Sequence, residues 1–460
     1  MSDQQLVPVE RFTFVDLFAG IGGFHAALGA LGGRCVYASE IDRSAAAVYS
    51  ANWDMPVAGD IVEATQGRMD VPPHDVLVAG FPCQPFSKSG FQRGMEEARG
   101  TLFYNILEVL RHHRPAVVLL ENVRNLAGPR HAHEWDVIVT SLRQLGYRVS
   151  STPAVFSPHL LPPEMGGRPQ VRERVFIAAT YVGTSQSHQD VPPVVTNKPV
   201  GGWDKHRWVL REHLPLEGLE TDPRYGLTDT ETRWVEAWDD FIRRLRADGR
   251  ANIPGHPIWA DEFRTVDDLR IEKGTPRWKA DFLRKNAELY TNHRKAINAW
   301  LVRWKGLEDF PASRRKLEWQ AQDAESLFDT VMHFRPSGIR AKKPTYLPAL
   351  VAITQTSILG SERRRISPKE AARLQGLPEW FDFGDQREAL TYKQLGNGVN
   401  VGVVMHVLRE QVRRDRQVLE QLCPRLVRCA LDPAAKAPAP PLVEKAGGLV
   451  QLELDEAIPA

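Results

Sequence analysis

Short apolar runs interrupted by glycine or proline recur through the first part of the chain. Four of them have the length and residue types of buried strands, namely residues 12–18, 35–39, 75–79 and 116–120. Helical periodicity follows the first run over residues 24–31 and precedes the last run over residues 103–111. This alternation predicts an α/β fold with a doubly wound, mostly parallel sheet that helices cover on both faces.

Glycines and polar residues collect where the predicted strands end. Ligands of parallel sheets bind beyond the carboxyl ends of the strands, so this edge is the predicted functional site. The residues found there are Gly20, Gly22, Gly23, Glu40, Asp60, Cys83 and Glu121.

The loop after the first predicted strand indicates a ligand that the backbone approaches closely. Gly20 and Gly22 have no side chain and allow a tight turn. Glu40, twenty positions after Gly20, suits the hydroxyl groups of a ribose. Because the loop lacks both the G-x-G-x-x-G spacing and the lysine of a triphosphate loop, we expect an adenosine-containing cofactor without a pyrophosphate.

Cys83 stands between two prolines, directly after a predicted strand. A rigid turn at that point would hold the thiol at the edge of the sheet, where a cysteine with a lowered pKa can act as a nucleophile. The alternative is that Cys83 is a small buried hydrophobic residue, as free cysteine most often is. That second interpretation is the one we give to Cys35, Cys423 and Cys429.

Composition limits the class of protein without identifying a partner. The 460 residues carry a formal net charge of +2, and 42% are hydrophobic and 25% charged, which is ordinary for a globular protein. Because the net charge is so small, any basic surface must be confined to one part of the protein. The first residues lack a basic and apolar leader, no apolar stretch is long enough to span a bilayer, and the cysteines lack disulfide or CxxC spacing. We expect a reduced, cytoplasmic protein without a membrane segment or a metal site.

The alternating pattern disappears between residues 181 and 350, where most of the tryptophans stand. Two groups of apolar residues there recur at helical spacing and predict stripes that face a core: Trp234, Trp238, Phe241, Ile242 and Leu245, and Ile297, Trp300, Leu301 and Trp304. A loop broken by proline and glycine then carries the cations Arg335, Arg340, Lys342 and Lys343. Lysines there suit phosphate contact, and arginines also suit guanine.

Two further patterns concern local structure near the end of the chain. Ser367, Pro368 and Glu370 have the spacing of a helix start, with an N-cap, a proline in the first turn and a capping carboxylate. After Leu431 the chain is rich in alanine and proline, which predicts a flexible tail.

Five motifs stand in one order along the chain: DLFAGIGGF from Asp16, GFPCQPFS from Gly80, ENV from Glu121, QVRER from Gln170 and QLGNGV from Gln394. In this set and order the chain resembles the cytosine-C5 DNA methyltransferases, over roughly residues 13–177 and 349–404. The resemblance implies the fold of S-adenosylmethionine-dependent methyltransferases with a large inserted target recognition domain. It also implies a prokaryotic enzyme of type II restriction-modification systems.

What the resemblance implies for catalysis is methyl transfer to C5 of a cytosine flipped out of duplex DNA. Carbon 5 is a poor nucleophile, so Cys83 is expected to add to C6 while Glu121 supplies a proton at N3. Arg172 and Arg174 are expected to contact the flipped base and its backbone. If residues 171–179 form a strand, both arginines point to the same face.

The resemblance assigns the cofactor S-adenosyl-L-methionine to a defined set of residues. They are Phe18, Gly20, Gly22, Glu40, Ile41, Asp60, Ile61, Pro82, Leu102, Asn397 and Val399. Glu40 is expected at the ribose, Asp60 with Ile61 at the adenine, and Asn397 with Val399 at the methionine end. Ile41 stands where some members carry an aromatic residue against the adenine.

The expected partner is duplex DNA, with Gln84 and Ser87 in contact with it and residues 87–99 closing over the site. A restriction endonuclease that acts on the same sequence is a second expected partner, and the chain is expected to work as a monomer, associated with the nucleoid through DNA. Two alternatives stay open: a relative that methylates cytosine C5 in RNA such as tRNA, and a catalytically silent DNA-binding regulator.

The expected domain organisation has four parts. They are the first part of the catalytic and cofactor-binding domain (1–182), the target recognition domain (183–385), a return to the catalytic domain (386–430) and a flexible tail (431–460).

Overall fold

The structure is a computed structural model in which the chain divides into two compact units. The described residues are 10–82, 101–218, 222–250, 252–350 and 356–431. The first unit comprises Met1–His206, Ala349–Ala352 and Ala372–Ala460. The second, which we call the inserted unit, comprises Arg207–Pro348 and Ile353–Ala371.

Seven strands of the first unit form one sheet. The strands of this unit are β1 (Thr13–Leu17), β2 (Arg34–Ser39), β3 (Val76–Gly80), β4 (Val117–Val123), β5 (Tyr147–Arg148), β6 (Ala154–Phe156), the short β7 (Gln170–Val171) and β8 (Arg174–Tyr181). The order in the sheet is β2-β1-β3-β4-β8-β5, and β6 also pairs with β8. Strands β1 to β4 are parallel, and β8 is antiparallel to β4, β5 and β6. The mostly parallel α/β fold is confirmed.

Helices alternate with the first strands of this sheet. They are α1 (Gly23–Ala30), α2 (Arg43–Trp53), α3 (Ile61–Thr65), α4 (Leu102–His113) and α5 (Ala132–Gln144). Strands β3 and β4 read as continuous apolar runs because both faces of the sheet are buried. Leu77 and Leu120 pack in one core with Phe103 and Ile106 of α4.

Two strand boundaries differ from expectation near the predicted catalytic residues. Strand β4 continues to Val123, because β8 pairs along its full length, so Glu121 lies inside the strand and not at its end. The expected strand over residues 171–179 is wrong at its start, since β7 ends at Val171 and β8 begins at Arg174. The backbone N–H of Arg172 donates to Oγ of Ser157 at 2.9 Å instead of to a strand partner.

The inserted unit has its own sheet and core. Its strands are β9 (Ile258–Trp259), β10 (Lys316–Gln320), β11 (Val331–Arg335), β12 (Gly338–Lys342), β13 (Leu347–Pro348), β14 (Ile358–Leu359) and β15 (Arg364–Arg365), and its helices are α6 (Leu210–His213), α7 (Asp229–Ala247), α8 (Arg277–Asn292) and α9 (Arg294–Arg303). The sheet order is β15-β14-β11-β12-β10-β9. Trp238 and Trp300 are fully buried with ring centroids 5.2 Å apart, so the predicted core-facing stripes are confirmed.

The remaining helices are α10 (Pro368–Gln375), α11 (Glu388–Asn397), α12 (Val401–Arg414), α13 (Arg416–Leu422) and α14 (Pro424–Leu431). The predicted start of α10 is confirmed: Glu370 N donates to Ser367 Oγ at 3.1 Å, and Ser367 N donates to Glu370 Oε2 at 2.8 Å. Arg364 forms a fully buried ion pair with Glu370 at 2.8 Å. Within the described part of the chain, no helix combines the length and the apolar character needed to cross a membrane.

Candidate active site

A cleft of about 500 Å³ opens where β1, β2, β3 and β4 end. Most of the residues that the sequence singled out line it, namely Phe18, Gly20, Glu40, Ile41, Asp60, Ile61, Pro82, Leu102, Glu121, Arg174, Asn397 and Val399. These residues come from segments far apart in the chain. The parallel strands bring them together at one edge of the first unit.

Glycines form the turn that follows β1. Gly20 and Gly22 have φ values of 56° and 92°, a left-handed conformation that favours glycine. The N–H of Gly20 donates to Oε2 of Glu40 at 2.8 Å and so ties the turn to the end of β2. Gly22 lies outside the cleft lining and serves packing instead, because a Cβ there would stand 2.0 Å from Nε1 of Trp53.

Two carboxylates are fixed at the cleft by backbone groups. Glu40 accepts from Gly20 N through Oε2 and from Asp42 N through Oε1, each at 2.8 Å. Asp60 is the N-cap of α3, where its Oδ1 accepts from Val62 N at 2.9 Å. Because a carboxylate offers about four acceptor positions, both side chains retain acceptors for the donors of a ligand.

Apolar side chains stand beside these carboxylates. Ile61, the first residue of α3, is buried, and Phe18 and Leu102 also line the cleft. Ile41 is 71% exposed. The cleft therefore combines apolar walls with a small number of fixed acceptors, as small-molecule sites commonly do.

Glu121 and Arg174 face each other across the antiparallel pair β4 and β8. Arg174 Nε lies 2.8 Å from Glu121 Oε1, and Glu121 is 7% exposed. Burial raises the pKa of Glu121 above its ordinary 4.5, while Arg174 and Arg172 oppose that shift. Burial is the largest of these effects, so the neutral carboxyl is favoured beyond its usual pH range.

Asn122 fixes the chain just before the predicted nucleophile. Its Nδ2 donates to the carbonyl oxygen of Phe81 at 2.9 Å, and its Oδ1 accepts from Val123 N at 2.8 Å. The sequence placed Asn122 in a motif but gave it no role. Cys83, Gln84 and Ser87 themselves lie outside the described residues.

Arg172 lies away from the cleft lining. It is 1% exposed, and its guanidinium donates to the carbonyl oxygens of Leu350 at 2.9 Å, Gly396 at 2.8 Å and Gly398 at 2.6 Å. Burial, together with the charge of Arg174, lowers the pKa of Arg172 to about 9. Of the two predicted arginines, only Arg174 lines the cleft.

The far wall of the cleft comes from α11 and the residues after it. Val399 reaches α1, where a Cβ on Gly23 would come within 2.8 Å of its Cγ2. Sequence reasoning missed two side chains of α11 that approach the start of α2. Lys393 Nζ lies 3.5 Å from Asp42 Oδ2, and Gln394 Nε2 donates to Ser44 Oγ at 3.3 Å. Gln394 opens the QLGNGV motif but had no role assigned to it, and for Lys393 only the position directly before that motif could have served as a signal.

The predicted DNA-contacting cations occupy the inserted unit. Arg335, Arg340 and Lys342 lie on the hairpin strands β11 and β12, so the expected loop is wrong: the register pairs Arg335 with Gly338 and leaves only Pro336 and Ser337 as the turn. Arg340 pairs with Glu318 at 2.5 Å, and Lys343 with Asp323 at 2.5 Å.

Arg335 and Lys342 differ from these two paired cations. Within the described ranges, neither Arg335 nor Lys342 forms an ion pair. Burial and the neighbouring cations lower the pKa of Lys342. Such a local excess of positive charge suits a polyanion better than a protein carboxylate.

The chain is similar to known proteins over most of its length. The model of the C-5 cytosine-specific DNA methylase family matches residues 12–413. The chain is 51% identical to the type II methyltransferase M.AluI of Cellulosimicrobium cellulans over 490 aligned positions, covering 89% of this chain and 94% of that protein. It is 40% identical to the type II methyltransferase M.HhaI of Haemophilus parahaemolyticus, covering 88% and 95% respectively. The chain therefore belongs to the family of C-5 cytosine-specific DNA methylases and is a type II DNA (cytosine-5-)-methyltransferase.

Proposed function

We propose that this enzyme transfers a methyl group from S-adenosyl-L-methionine to C5 of a flipped-out cytosine in a specific duplex sequence, through a covalent adduct between Cys83 and C6. The observation that carries the proposal is one cleft that gathers a glycine turn, two fixed carboxylates and the buried Glu121–Arg174 pair.

The cleft fits S-adenosyl-L-methionine in size and in the chemistry of its walls. Its volume of about 500 Å³ lies in the range of small-molecule pockets. Glu40 could accept from the ribose hydroxyls and Asp60 from the adenine amino group, while Ile41 and Ile61 would contact the faces of the adenine ring. Phe18, Gly20, Pro82 and Leu102 would complete the site. When bound, this cofactor supplies an electrophilic methyl group.

The buried acid and its arginine suit a cytosine ring. Cys83 Sγ adds to C6, and the electrons shift so that negative charge develops at N3. Glu121, kept neutral by burial, gives its proton to N3 in the same step. Arg174 orients the acid and the base.

The remaining steps return the enzyme to its starting state. Carbon 5, now nucleophilic, would take the methyl group as the bond between that methyl and the sulfur of the cofactor breaks, which leaves S-adenosyl-L-homocysteine as the by-product. A water molecule removes the C5 proton, the Sγ–C6 bond breaks, and the proton on N3 returns to Glu121. Asn122 supports this sequence by fixing Phe81, two residues before Cys83.

The inserted unit is proposed as the target recognition domain. Arg335 and Lys342 are the stronger candidates for phosphate contact, because Arg340 and Lys343 already have carboxylate partners. Gln84 and Ser87 would contact the DNA beside the target base. Base extrusion costs a few kcal/mol, which such contacts offset.

Further parts of the proposal concern the setting of the reaction. We propose that the enzyme acts as a monomer at the nucleoid, beside an endonuclease that cuts the same unmodified sequence. The type II classification of the relatives supports only the endonuclease part of this setting.

Trapping with a modified duplex tests the mechanism directly. The full chain is incubated with tritiated S-adenosyl-L-methionine and duplex DNA in which 5-fluorocytosine replaces the target cytosine. We expect a covalent protein–DNA complex, because fluorine cannot leave C5 as a proton does. The variant Cys83→Ala should form no complex.

The matched control is Cys35→Ala. Burial raises the pKa of Cys35 to about 12, so this residue is not a thiolate near neutral pH, and its removal should leave trapping intact. Trapping by Cys83→Ala would overturn the nucleophile assignment. Labelling of tRNA but not of duplex DNA would overturn the assignment of the substrate.

A further inference from the structure

Arg172 caps the C-terminal end of α11. The last carbonyl groups of a helix have no partner inside the helix. Arg172 donates from Nη2 to Gly396 O at 2.8 Å and to Gly398 O at 2.6 Å. Gln375 donates to Leu395 O at 2.7 Å. A cation at this end of a helix also interacts favourably with the helix dipole.

The turn that Arg172 holds, from Gly396 to Gly398, is part of the cleft wall. Gly396 and Gly398 flank Asn397, and all three line the cleft together with Val399. A second guanidinium nitrogen, Nη1, donates to Leu350 O at 2.9 Å, so three backbone carbonyls accept from one buried cation. Among the residues that the structure describes, no carboxylate pairs with it.

We propose that Arg172 is a positioning residue for the cofactor, which fixes the turn from Gly396 to Gly398 so that Asn397 and Val399 close one end of the cleft. Arg172 does not contact the target base. This inference rests on the proposed assignment of S-adenosyl-L-methionine to the cleft.

The choice of arginine follows from the geometry of its partners. A planar guanidinium presents several donors in a fixed fork, whereas a lysine ammonium is a compact point charge on a flexible stem. One guanidinium can therefore bridge carbonyls from two segments of the chain, and a lysine at the same place cannot hold all three. The backbone of Arg172 is fixed as well, because its N–H donates to Ser157 Oγ.

The test separates cofactor binding from the steps on DNA. The variant Arg172→Lys keeps the charge but loses the fork. We expect its Kd for S-adenosyl-L-methionine, measured by calorimetry on the full chain, to rise about tenfold, as for the loss of one hydrogen bond to a charged group. Turnover at saturating cofactor and the Kd for target duplex should change by less than about threefold.

Arg168→Lys is the matched control. Arg168 also donates to backbone carbonyls of the first unit, Arg373 O at 3.0 Å and Gly167 O at 2.9 Å, and neither acceptor belongs to α11. Its cofactor affinity should match that of the wild type. If Arg172→Lys and Arg168→Lys lost cofactor affinity equally, Arg172 would contribute only to general stability, and the proposal would be overturned.

A double-mutant cycle with Asn397→Ala gives a second measurement that does not depend on a large single effect. If Arg172 acts through Asn397, the double variant should bind the cofactor about as weakly as the worse single variant. Additive losses would overturn the proposal, as would a loss of turnover at saturating cofactor with unchanged cofactor affinity. The Kd of the wild-type chain for S-adenosyl-L-methionine is measured first. If the wild type does not bind the cofactor, the cofactor assignment itself is refuted, and this result is distinct from a failure of the proposal on Arg172.

Discussion

Arg174 Nε lies 2.8 Å from Glu121 Oε1, yet the pKa of Glu121 is raised, because burial outweighs the attraction of the arginine. An acid held in this way keeps its proton above the ordinary pH range of glutamic acid. The proton is available for a base that develops negative charge, and it is lost only as pH rises through the raised pKa.

Glu121→Gln removes the dissociable proton at nearly constant shape. We expect turnover to fall by about a hundredfold or more, which is the usual contribution of a general acid. In the wild type, turnover should decline as pH rises through the raised pKa of Glu121, and this decline should disappear in the variant. Glu173→Gln is the control, because Glu173 pairs with the exposed Arg124 at 3.0 Å. Unchanged turnover in Glu121→Gln would exclude the proposed acid.

Asp16→Asn is expected to stabilise the enzyme at high pH. Asp16 is fully buried, and among the described residues neither of its carboxylate oxygens has a hydrogen-bond partner of good geometry. Burial, reinforced by Glu40, raises the pKa of Asp16 well above 3.8. The stability contributed by a raised acid is present below its unfolded pKa and is lost as pH rises through the folded pKa, by up to about 1.4 kcal/mol per pH unit. Urea denaturation at several pH values should show this decline in the wild type and not in the variant. Parallel pH profiles would contradict the expectation.

Gly22→Ala should destabilise the first unit by about 2 kcal/mol or more, from a left-handed backbone and a steric clash. The new Cβ would lie 2.0 Å from Trp53 Nε1. Gly20→Ala is the comparison, because its Cβ meets no atom within 4 Å. Gly20→Ala still loses about 1 kcal/mol because of the left-handed backbone but meets no clash, so it should lose less stability than Gly22→Ala. It should also lose cofactor affinity, since Gly20 lines the cleft. Thermal unfolding and calorimetry measure the two effects separately, and equal unfolding temperatures would refute the steric argument.

Arg335→Ala and Lys342→Ala should each weaken DNA binding and reduce the slope of log K against log salt by about 1, as for the loss of one phosphate contact. Lys343→Ala should change the slope less, because its ammonium already pairs with Asp323. Fluorescence anisotropy at several salt concentrations measures the slopes. Equal slopes for the wild type and the three variants would show that DNA does not contact this hairpin.

Arg364→Met should destabilise the inserted unit by about 3–5 kcal/mol, because it leaves the charge of Glu370 buried without its partner. Adding Glu370→Leu should restore part of that loss. Arg416→Met breaks an exposed pair with Glu420 and should cost less than about 1 kcal/mol. Urea denaturation monitored by tryptophan fluorescence provides the comparison, and a small effect of Arg364→Met would argue against a buried charge.

Sequence patterns predicted those parts of the site that follow from the edge at which parallel strands end. A parallel strand delivers the residues after it to a known edge, which is why Gly20 and Glu40 were found together. Glycine turns and N-caps are local as well, and the start of α10 followed from three residues.

The parts that sequence could not give depend on contacts between distant segments. The resemblance implied a contact between Arg172 and the base, and strand alternation placed Arg172 on the same face as Arg174, but the strand does not extend to Arg172. Its partners Leu350 and Gly396 stand 178 and 224 positions away, and no periodicity encodes such contacts. The hairpin of Arg335 and Arg340 was taken for a loop because proline and glycine mark the turn but do not show how far the flanking strands extend.

The split of the first unit around the inserted one also governs biosynthesis. Residues up to Val123 form one side of the cleft, while Asn397 and Val399 leave the ribosome only after the whole inserted unit has been made. Because translation proceeds from the N-terminus, a truncated product has an incomplete cleft. An unfinished chain therefore lacks the wall of the cleft that Asn397 and Val399 supply, and so does a chain cut short within the insertion.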